Sequence, residues 1–135
     1  MIIMDQQLRQ KLEAAARDAA QHSYSPYSHF PVGAAILTAD GQIFTGANIE
    51  NASFGLTNCA ERTAIFKAVS EGAGEITHVV VYTPTPHPTM PCGACRQVIR
   101  EFGRQASCVS ICDSEQRLET TLEELLPHSF GPEQL

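Results

Sequence analysis

Residues 76–82, Ile-Thr-His-Val-Val-Val-Tyr, form a nearly unbroken apolar run in the middle of the chain. Such a run predicts a β-strand that is buried on both faces of a sheet. Residues 59–70 before it and residues 92–102 after it have the character of helices, and glycines follow each of them. Residues 107–112 predict a further strand. Because a helix connects these two strands they should be parallel, which is typical of an α/β fold.

The N-terminal part adds a helix and a hairpin to this pattern. Apolar residues at helical spacing within residues 8–19 predict a helix, with Asp5 as its cap. Residues 32–38 and 43–45 have the character of strands. The dipeptide Asp40-Gly41 between them is a strong signal for a tight turn, so the two strands should pair antiparallel.

The C-terminal part completes one α/β domain over residues 1–135. Residues 83–90 contain three prolines and must form a loop. An edge strand is expected near Arg117. Residues 121–124, Thr-Leu-Glu-Glu, have the pattern of a capping box that opens a short last helix.

Composition and charge restrict the classes of function. With 43% hydrophobic and 18% charged residues, a chain of 135 residues can form a compact core without disulfides. Its formal charge of −6 makes a nucleic-acid polymer an unfavourable partner, because an acidic surface repels phosphates. No segment approaches the roughly 20 apolar residues that span a bilayer. Residues 1–4 are too short for a signal-peptide core. We therefore expect a cytoplasmic protein that does not contact a membrane.

Three of the five cysteines have the spacing of a metal site. Residues 59–61 are Cys-Ala-Glu, and residues 91–95 are Pro-Cys-Gly-Ala-Cys. An odd number of cysteines argues against a closed disulfide framework, and Cys-x-x-Cys in a reducing compartment indicates a metal or redox site. Each cysteine group opens a predicted helix, where the helix dipole favours the thiolate. Thiolates of Cys59, Cys92 and Cys95 would bind zinc and leave its fourth position open for water.

Two residues beside Cys59 complete the predicted chemistry. Glu61 lies two positions further along the same helix, so it can accept a proton from water near the metal without ligating it. Arg62 follows and can donate hydrogen bonds to the thiolates. Thr57 and Asn58 are plausible caps for this helix.

Other interpretations of the same residues stay open at this stage. Cys92 and Cys95 alone would also suit a redox pair, or a structural zinc site completed by Cys108, Cys112 or a histidine. Glu61 lies three residues after Asn58 and would also suit a helix cap. Cys108 and Cys112 lie in an apolar strand, which favours core positions. The five histidines show no mutual spacing that indicates a site.

The combination of motifs resembles the zinc-dependent cytidine deaminases, specifically the short homotetrameric class that uses three cysteines. The resemblance rests on Cys-Ala-Glu at 59–61 and Pro-Cys-Gly-Ala-Cys at 91–95. It extends over residues 25–35, Ser-Pro-Tyr-Ser-His-Phe-Pro-Val-Gly-Ala-Ala, and over residues 46–57, Gly-Ala-Asn-Ile-Glu-Asn-Ala-Ser-Phe-Gly-Leu-Thr. It ends with Leu-Leu-Pro at 125–127 and Phe130. Many relatives have tyrosine where this chain has Phe54.

The resemblance implies a single-domain, three-layer α/β/α fold with a mixed five-stranded sheet and helices on both faces. It also implies one Zn²⁺ per subunit and a homotetramer whose active sites share residues between subunits. The roles it implies are an aromatic wall for the pyrimidine at Phe30, ribose 3′-hydroxyl contacts at Asn48 and Glu50, a backbone contact to the base at Ala60, a proton shuttle at Glu61 and an aromatic that reaches a neighbouring subunit's site at Phe130.

The implied reaction is the hydrolytic deamination of cytidine and 2′-deoxycytidine to uridine and 2′-deoxyuridine with release of ammonia, as in pyrimidine salvage. The first alternative keeps this chemistry on another aminopyrimidine nucleoside or a nucleoside antibiotic. A second is a structural zinc protein with four protein ligands. A third is a dithiol oxidoreductase with a reversible Cys92–Cys95 disulfide.

Overall fold

The computed structural model describes residues 5–135, so the prediction about residues 1–4 lies outside the described residues. Within residues 5–135, no helix is both long and apolar enough to cross a membrane. The helices and strands are, in chain order, α1 (Gln6–Ala20), β1 (Gly33–Thr38), β2 (Ile43–Ala47), α2 (Ala60–Ser70), β3 (Ile76–Tyr82), α3 (Gly93–Phe102), β4 (Ser107–Ile111), β5 (Arg117–Thr121) and α4 (Leu122–Leu125). Two single-turn 3-10 helices, Phe54–Leu56 and Pro132–Gln134, were not predicted from the sequence.

The five strands form one mixed sheet in the order β2-β1-β3-β4-β5. β1 pairs antiparallel with β2 and with β3, and β5 pairs antiparallel with β4. β3 and β4 are parallel, as expected for two strands joined by α3. The predicted hairpin, parallel pair and edge strand are thus confirmed. In the hairpin turn Gly41 has a φ of 88°, a left-handed conformation that glycine adopts at little cost.

Helices cover both faces of the sheet, which confirms the expected three-layer α/β/α architecture. Neighbouring residues on β3 serve opposite faces, since Val79 belongs to one core and Val80 to the other. The core under α1 contains Leu12, Ala16, Ala35, Leu37, Val80 and Ile111. The largest buried side chains of the core under α2 and α3 are Ile36, Ile65, Ile76, Ile99 and Leu122.

The chain topology brings the starts of α2 and α3 to one edge of the sheet. α3 begins after the carboxyl end of β3. α2 precedes β3 in the chain and ends near the amino end of that strand, so α2 begins near the carboxyl end of β3. Close packing holds α2 in place, because a Cβ at Gly46 of β2 would lie 2.4 Å from the backbone nitrogen of Ala64. Residues at the two helix starts therefore lie beside each other at the edge where β3 ends.

The N-cap of α2 differs from the expectation. Cys59 is itself the N-cap of α2, and Cys92 is the N-cap of α3. The prediction that Thr57 and Asn58 cap α2 is wrong. The backbone N–H of Asn58 donates to the carbonyl of Ile49 at 2.9 Å, in an isolated antiparallel bridge that precedes the helix. This bond also contradicts the alternative in which Glu61 caps that N–H.

Candidate active site

The three predicted ligand cysteines converge at the edge of the sheet. The sulfurs of Cys59, Cys92 and Cys95 all lie within 4.8 Å of one another, and the Sγ atoms of Cys59 and Cys92 are 3.8 Å apart. Three sulfurs placed about 2.3 Å from one zinc ion at tetrahedral angles would be about 3.8 Å apart. Among residues 5–135, no fourth side chain joins this group of possible metal ligands. The donor set therefore fits a zinc ion that keeps one position for a non-protein ligand.

The electrostatics of the site favour negatively charged sulfur. Hydrogen bonds from the Cys95 thiol and then from the Arg62 guanidinium lower the pKa of Cys59 to about 5. The same hydrogen bond, together with burial, raises the pKa of Cys95. Nη2 of Arg62 lies 3.2 Å from Sγ of Cys59, as the sequence predicted, and this contact raises the pKa of Arg62. A bound divalent cation would favour all three sulfurs as thiolates.

Glu61 lies beside the sulfurs in a buried position. Its side chain is 5% exposed, and it lies in the first turn of α2, two residues beyond Cys59. Burial, and to a smaller extent the charge of Cys59, raise the pKa of Glu61 to about 7. A carboxyl group with such a pKa is suited to accept and return protons near neutrality.

The other two cysteines do not join the sulfur group. Cys108 lies in the core under α2 and α3, where burial raises its pKa to about 12. The buried Sγ of Cys112 contacts the hydroxyl of Ser114 at 3.3 Å and the carbonyl of Gln116 at 3.5 Å. Both thiols are free, and they occupy the core positions that their apolar strand indicated.

A cavity of about 250 Å³ opens over Glu61. Cys59 and Ala60 line it beside Glu61, and Phe30, Asn48 and Glu50 also line it, so five of the implied binding and catalytic residues share one space with a metal ligand. Sequence reasoning gave no role there to eight further lining residues, which are Ser28, Val32, Thr57, Asn58, Val81, Thr83, Thr89 and Met90. Position in the chain could have indicated Val81, Thr83, Thr89 and Met90, because they end β3 or follow it. They lie at the carboxyl edge of the sheet, where ligands of α/β sheets bind.

Asn48 and Glu50 hold the loop that carries Phe30. Nδ2 of Asn48 donates to the carbonyl of Phe30 at 2.8 Å, and Oδ1 of Asn48 accepts from the backbone N–H of Val32 at 2.9 Å. Glu50 accepts from the N–H groups of Tyr27 and Ser28 at 3.0 and 3.1 Å, and from the Ser28 hydroxyl. That hydroxyl is the main cause of the lowered pKa of Glu50. Oδ1 of Asn48 also accepts from the Ser23 hydroxyl, so Asn48 and Glu50 each keep one hydrogen-bonding site free.

Two predicted aromatic positions lie outside the cavity of their own chain. Phe130 is 57% exposed and is not among the lining residues. Phe54 is 74% exposed and packs edge-on against Tyr27, with ring centroids 5.8 Å apart. The structure thus brings together the possible metal ligands, Glu61 and four implied binding residues in one chain, while Phe130 lies apart from them.

Volume alone does not locate this site. A depression of about 410 Å³ lies between α1 and β5, but it is mainly polar, and the described residues that line it include no cysteine. The smaller cavity has a buried carboxyl group, a metal position and an aromatic wall. Together with the three-layer fold, these features define a zinc-dependent hydrolytic enzyme that acts on a small, partly apolar substrate.

Comparison with known proteins identifies the family more closely. The family model described as "Cytidine and deoxycytidylate deaminase zinc-binding region" matches residues 6–111. The chain is 48% identical over 127 residues to a protein of Sporosarcina psychrophila named cytidine deaminase, an alignment that covers 93% of each. It is also 48% identical over 128 residues to the cytidine deaminase of Halalkalibacterium halodurans, covering 94% of this chain and 97% of that one.

The crystal structure of cytidine deaminase from Burkholderia pseudomallei has the same fold, with a TM-score of 0.87 and 42% identity. That match covers 94% of this chain and all of the other. The chain belongs to the cytidine and deoxycytidylate deaminase zinc-binding family.

Proposed function

We propose that this chain catalyses the hydrolytic deamination of cytidine and 2′-deoxycytidine to uridine and 2′-deoxyuridine, with release of ammonia. The observation that carries the proposal is the position of Glu61, buried at the floor of a cavity next to three cysteine sulfurs with zinc geometry. Relatives that match more than nine tenths of the chain are named cytidine deaminases. The reaction belongs to pyrimidine salvage, and we place it in the cytoplasm, where thiols remain reduced.

Cys59, Cys92 and Cys95 would hold the zinc ion, which supplies a Lewis-acidic position that activates water. Glu61 accepts the proton that the attacking water loses and delivers it to N3 of the pyrimidine. This transfer makes C4 more electrophilic as the C4–O bond forms. Glu61 then moves the proton of the hydroxyl added at C4 to the amino group. The C4=O double bond forms as the C4–N bond breaks, and ammonia is the neutral leaving group.

Arg62 supports this chemistry from behind the sulfurs. Its guanidinium donates to Cys59 and carries positive charge to within 3.2 Å of that sulfur. Three thiolates would leave a divalent cation with a net negative local charge, which weakens its pull on water. A cationic donor on the thiolate offsets part of that excess charge.

The cavity favours a nucleoside over a nucleotide. Phe30 and Ala60 both line the cavity, which supports an aromatic wall for the base at Phe30 and a contact from the Ala60 backbone to the amino end of the base. The free hydrogen-bonding sites of Asn48 and Glu50 suit the ribose 3′-hydroxyl. Among residues 5–135, no lysine or arginine lines the cavity, whereas Glu50 lies at its wall. A carboxylate at that wall would repel a 5′-phosphate.

We further propose a homotetramer in which Phe130 of one subunit closes the active site of another. A cavity of about 250 Å³ is small for a nucleoside site, and the exposed aromatic Phe30 lines it. Tyr27 and Phe54 are also exposed and contact each other, and the Tyr27 N–H is bonded to the lining residue Glu50. Exposed aromatic side chains of this kind are typical of an interface. Sedimentation should give four chains per particle, and an active monomer would contradict this assignment.

The test of the reaction combines metal analysis with a substrate panel. The purified protein should contain about one zinc per chain, and it should convert cytidine to uridine with stoichiometric ammonia. Cytidine and 2′-deoxycytidine should be turned over in preference to cytosine, 5′-cytidylate and modified aminopyrimidine nucleosides. A protein that binds zinc but converts none of these compounds would instead support a structural metal site.

A further inference from the structure

A C-terminal strap, defined as residues 129–134, lies across α3 and carries Phe130. α3 is also the helix that begins at Cys92 and contains Cys95 in its first turn. One helix therefore presents two metal ligands at its start and contacts the strap further along. The side chains that make these contacts are those of Gln97 and Arg100.

Arg100 is the buried cation around which the strap folds. Only 3% of its side chain is exposed, which is rare for arginine. Its Nε donates to the hydroxyl of Ser129 at 2.7 Å, and its Nη2 forms an ion pair with Glu133. The backbone at Gly131 lies directly against the guanidinium, because a Cβ there would lie 2.6 Å from its central carbon. Arg100 thus contacts the strap on both sides of Phe130.

The backbone of Phe130 is fixed while its ring is left exposed. Nε2 of Gln97 donates to the carbonyl of Phe130 at 3.0 Å. His128, two residues earlier, has a φ of 55°, a left-handed conformation that persists in a residue with a side chain only when its surroundings enforce it. In spite of these restraints the ring of Phe130 is 57% exposed. The contacts therefore set the direction of an apolar ring that its own chain does not cover.

We propose that Arg100 is a positioning residue for substrate binding, which aims Phe130 at the cavity mouth of a second copy of this chain. The inference rests on the shared active site proposed above. Loss of the guanidinium would free the strap and remove an aromatic contact from the neighbouring site. The expected effect is a weaker affinity for nucleoside, with little change in the chemical step.

The test compares kinetic constants for cytidine among the intact zinc enzyme and its variants. Arg100→Met removes the charge but keeps an unbranched apolar side chain, which often replaces a buried ion pair without loss of stability. Arg104→Ala is the matched control, because Arg104 is 61% exposed and lies 3.8 Å from the same Glu133. Phe130→Ala removes the ring itself, and the double variant combines both changes.

We expect Arg100→Met to raise KM about tenfold, close to the effect of Phe130→Ala, since one lost aromatic contact has about that value. In the double variant KM should equal that of Phe130→Ala alone, because Arg100 acts through Phe130. kcat and zinc content should change little, and Arg104→Ala should behave as wild type. Additive effects in the double variant, or an unchanged KM in Arg100→Met, would overturn the inference.

A spectroscopic readout separates positioning from general stability. The chain contains no tryptophan, so Phe130→Trp introduces a single fluorescent reporter at the tip of the strap. Its emission should be blue-shifted, as for an indole buried against a second copy, and adding Glu133→Gln or Arg100→Met should shift it to the red. Ser129→Ala and Glu133→Gln serve the same kinetic comparison if Arg100→Met does not fold. An emission spectrum that stays the same in both of these double variants would also overturn the inference.

The two proposals fail in distinguishable ways. If Phe130→Ala raises KM but the Arg100 and Glu133 variants do not, the shared site stands and the positioning role is overturned. If Phe130→Ala leaves KM unchanged and the tryptophan emits as an exposed indole, both the shared site and the role of Arg100 are overturned. The deaminase reaction is tested apart from both by cytidine turnover.

Discussion

The sulfur end of the active site and its aromatic mouth are built in different ways. At the sulfur end, Cys95 and Glu61 are buried, and every predicted ligand comes from the start of a helix packed on the sheet. Of the aromatics assigned to the mouth, Phe30 lines the cavity and Phe54 and Phe130 do not, and all three are at least one third exposed and lie on loops or on a single helical turn. One chain thus brings together the proposed metal ligands and the proposed proton-transfer group, whereas the proposed contact from Phe130 would come from a second copy.

This difference follows from what each task requires. A metal site needs its ligands held within tenths of an ångström, which packed helices provide. A site that must admit and release a nucleoside needs an opening, which loops and a neighbouring subunit can form. Changes at the sulfur end should therefore abolish the reaction, and changes at the mouth should mainly alter affinity.

The largest effect is expected from loss of one sulfur. Cys95→Ser should greatly weaken zinc binding and reduce activity to background, because three thiolates are the full protein contribution to the metal. Zinc content by atomic absorption and ammonia release check this result. Cys108→Ala is the matched control, since that buried thiol lies in the core, and it should keep its zinc. A zinc-free Cys108→Ala that still folds would contradict the ligand assignment.

Loss of the carboxylate should be nearly as severe for turnover without affecting the metal. Glu61→Gln keeps the size of the side chain but cannot move protons, so kcat should fall about 10³- to 10⁴-fold. Zinc content should stay the same, which separates this variant from the cysteine variants. Near-normal turnover of cytidine by Glu61→Gln would refute the proton-transfer role.

Loss of the Arg62 guanidinium, which donates to the Cys59 sulfur, should have an intermediate effect. Arg62→Ala removes the contact to Cys59 and should lower zinc affinity about 10- to 100-fold, as is typical for groups that hydrogen-bond to metal ligands. Competition with a chelator of known affinity measures the change. Arg62→Lys keeps the charge without the planar donor and should fall between wild type and alanine. Equal zinc affinity in all three proteins would show that the contact does not support the metal.

At the mouth, substitutions should separate affinity from chemistry. Phe30→Ala should raise KM for cytidine about tenfold through loss of the aromatic wall, with zinc content unchanged. Steady-state kinetics over a range of cytidine concentrations give the KM and kcat values. A fall in kcat as large as that of Glu61→Gln would mean that the mouth also takes part in the chemical step.

The smallest effect is expected at Phe54. Phe54→Tyr restores the hydroxyl that many relatives carry, and one exposed hydrogen bond should change kcat/KM by no more than about tenfold. The ratio of kcat/KM for cytidine and 2′-deoxycytidine is the informative measurement, because Phe54 packs on Tyr27, whose backbone N–H is bonded to Glu50, one of the proposed ribose contacts. A changed ratio would assign Phe54 to ribose discrimination, and an unchanged ratio would leave it a packing partner of Tyr27.

Local sequence was enough to predict most of the fold. The apolar run of β3, the Asp40-Gly41 turn and the cap at Asp5 each depend on neighbouring residues, and the structure contains all three where expected. Thr121 likewise accepts the N–H of Glu124 at the start of α4. The expected caps Thr57 and Asn58 were wrong because a long-range bridge to Ile49 takes up the Asn58 backbone.

The sequence by itself determined the chemistry of the site. It supplies the sulfur ligands and places a carboxylate two residues and an arginine three residues after Cys59. Such short spacing on one helix fixes the relative positions of these side chains. Only the tertiary structure brought Cys59 to Cys92, placed Thr83 and Met90 in the cavity and wrapped the strap around Arg100. It also showed that Asn48 and Glu50 hold the Phe30 loop. The hydrogen bonds and the sulfur contact among these residues join positions 16 to 33 apart. No local pattern encodes such pairs, because the packing of helices on a sheet decides which residues meet.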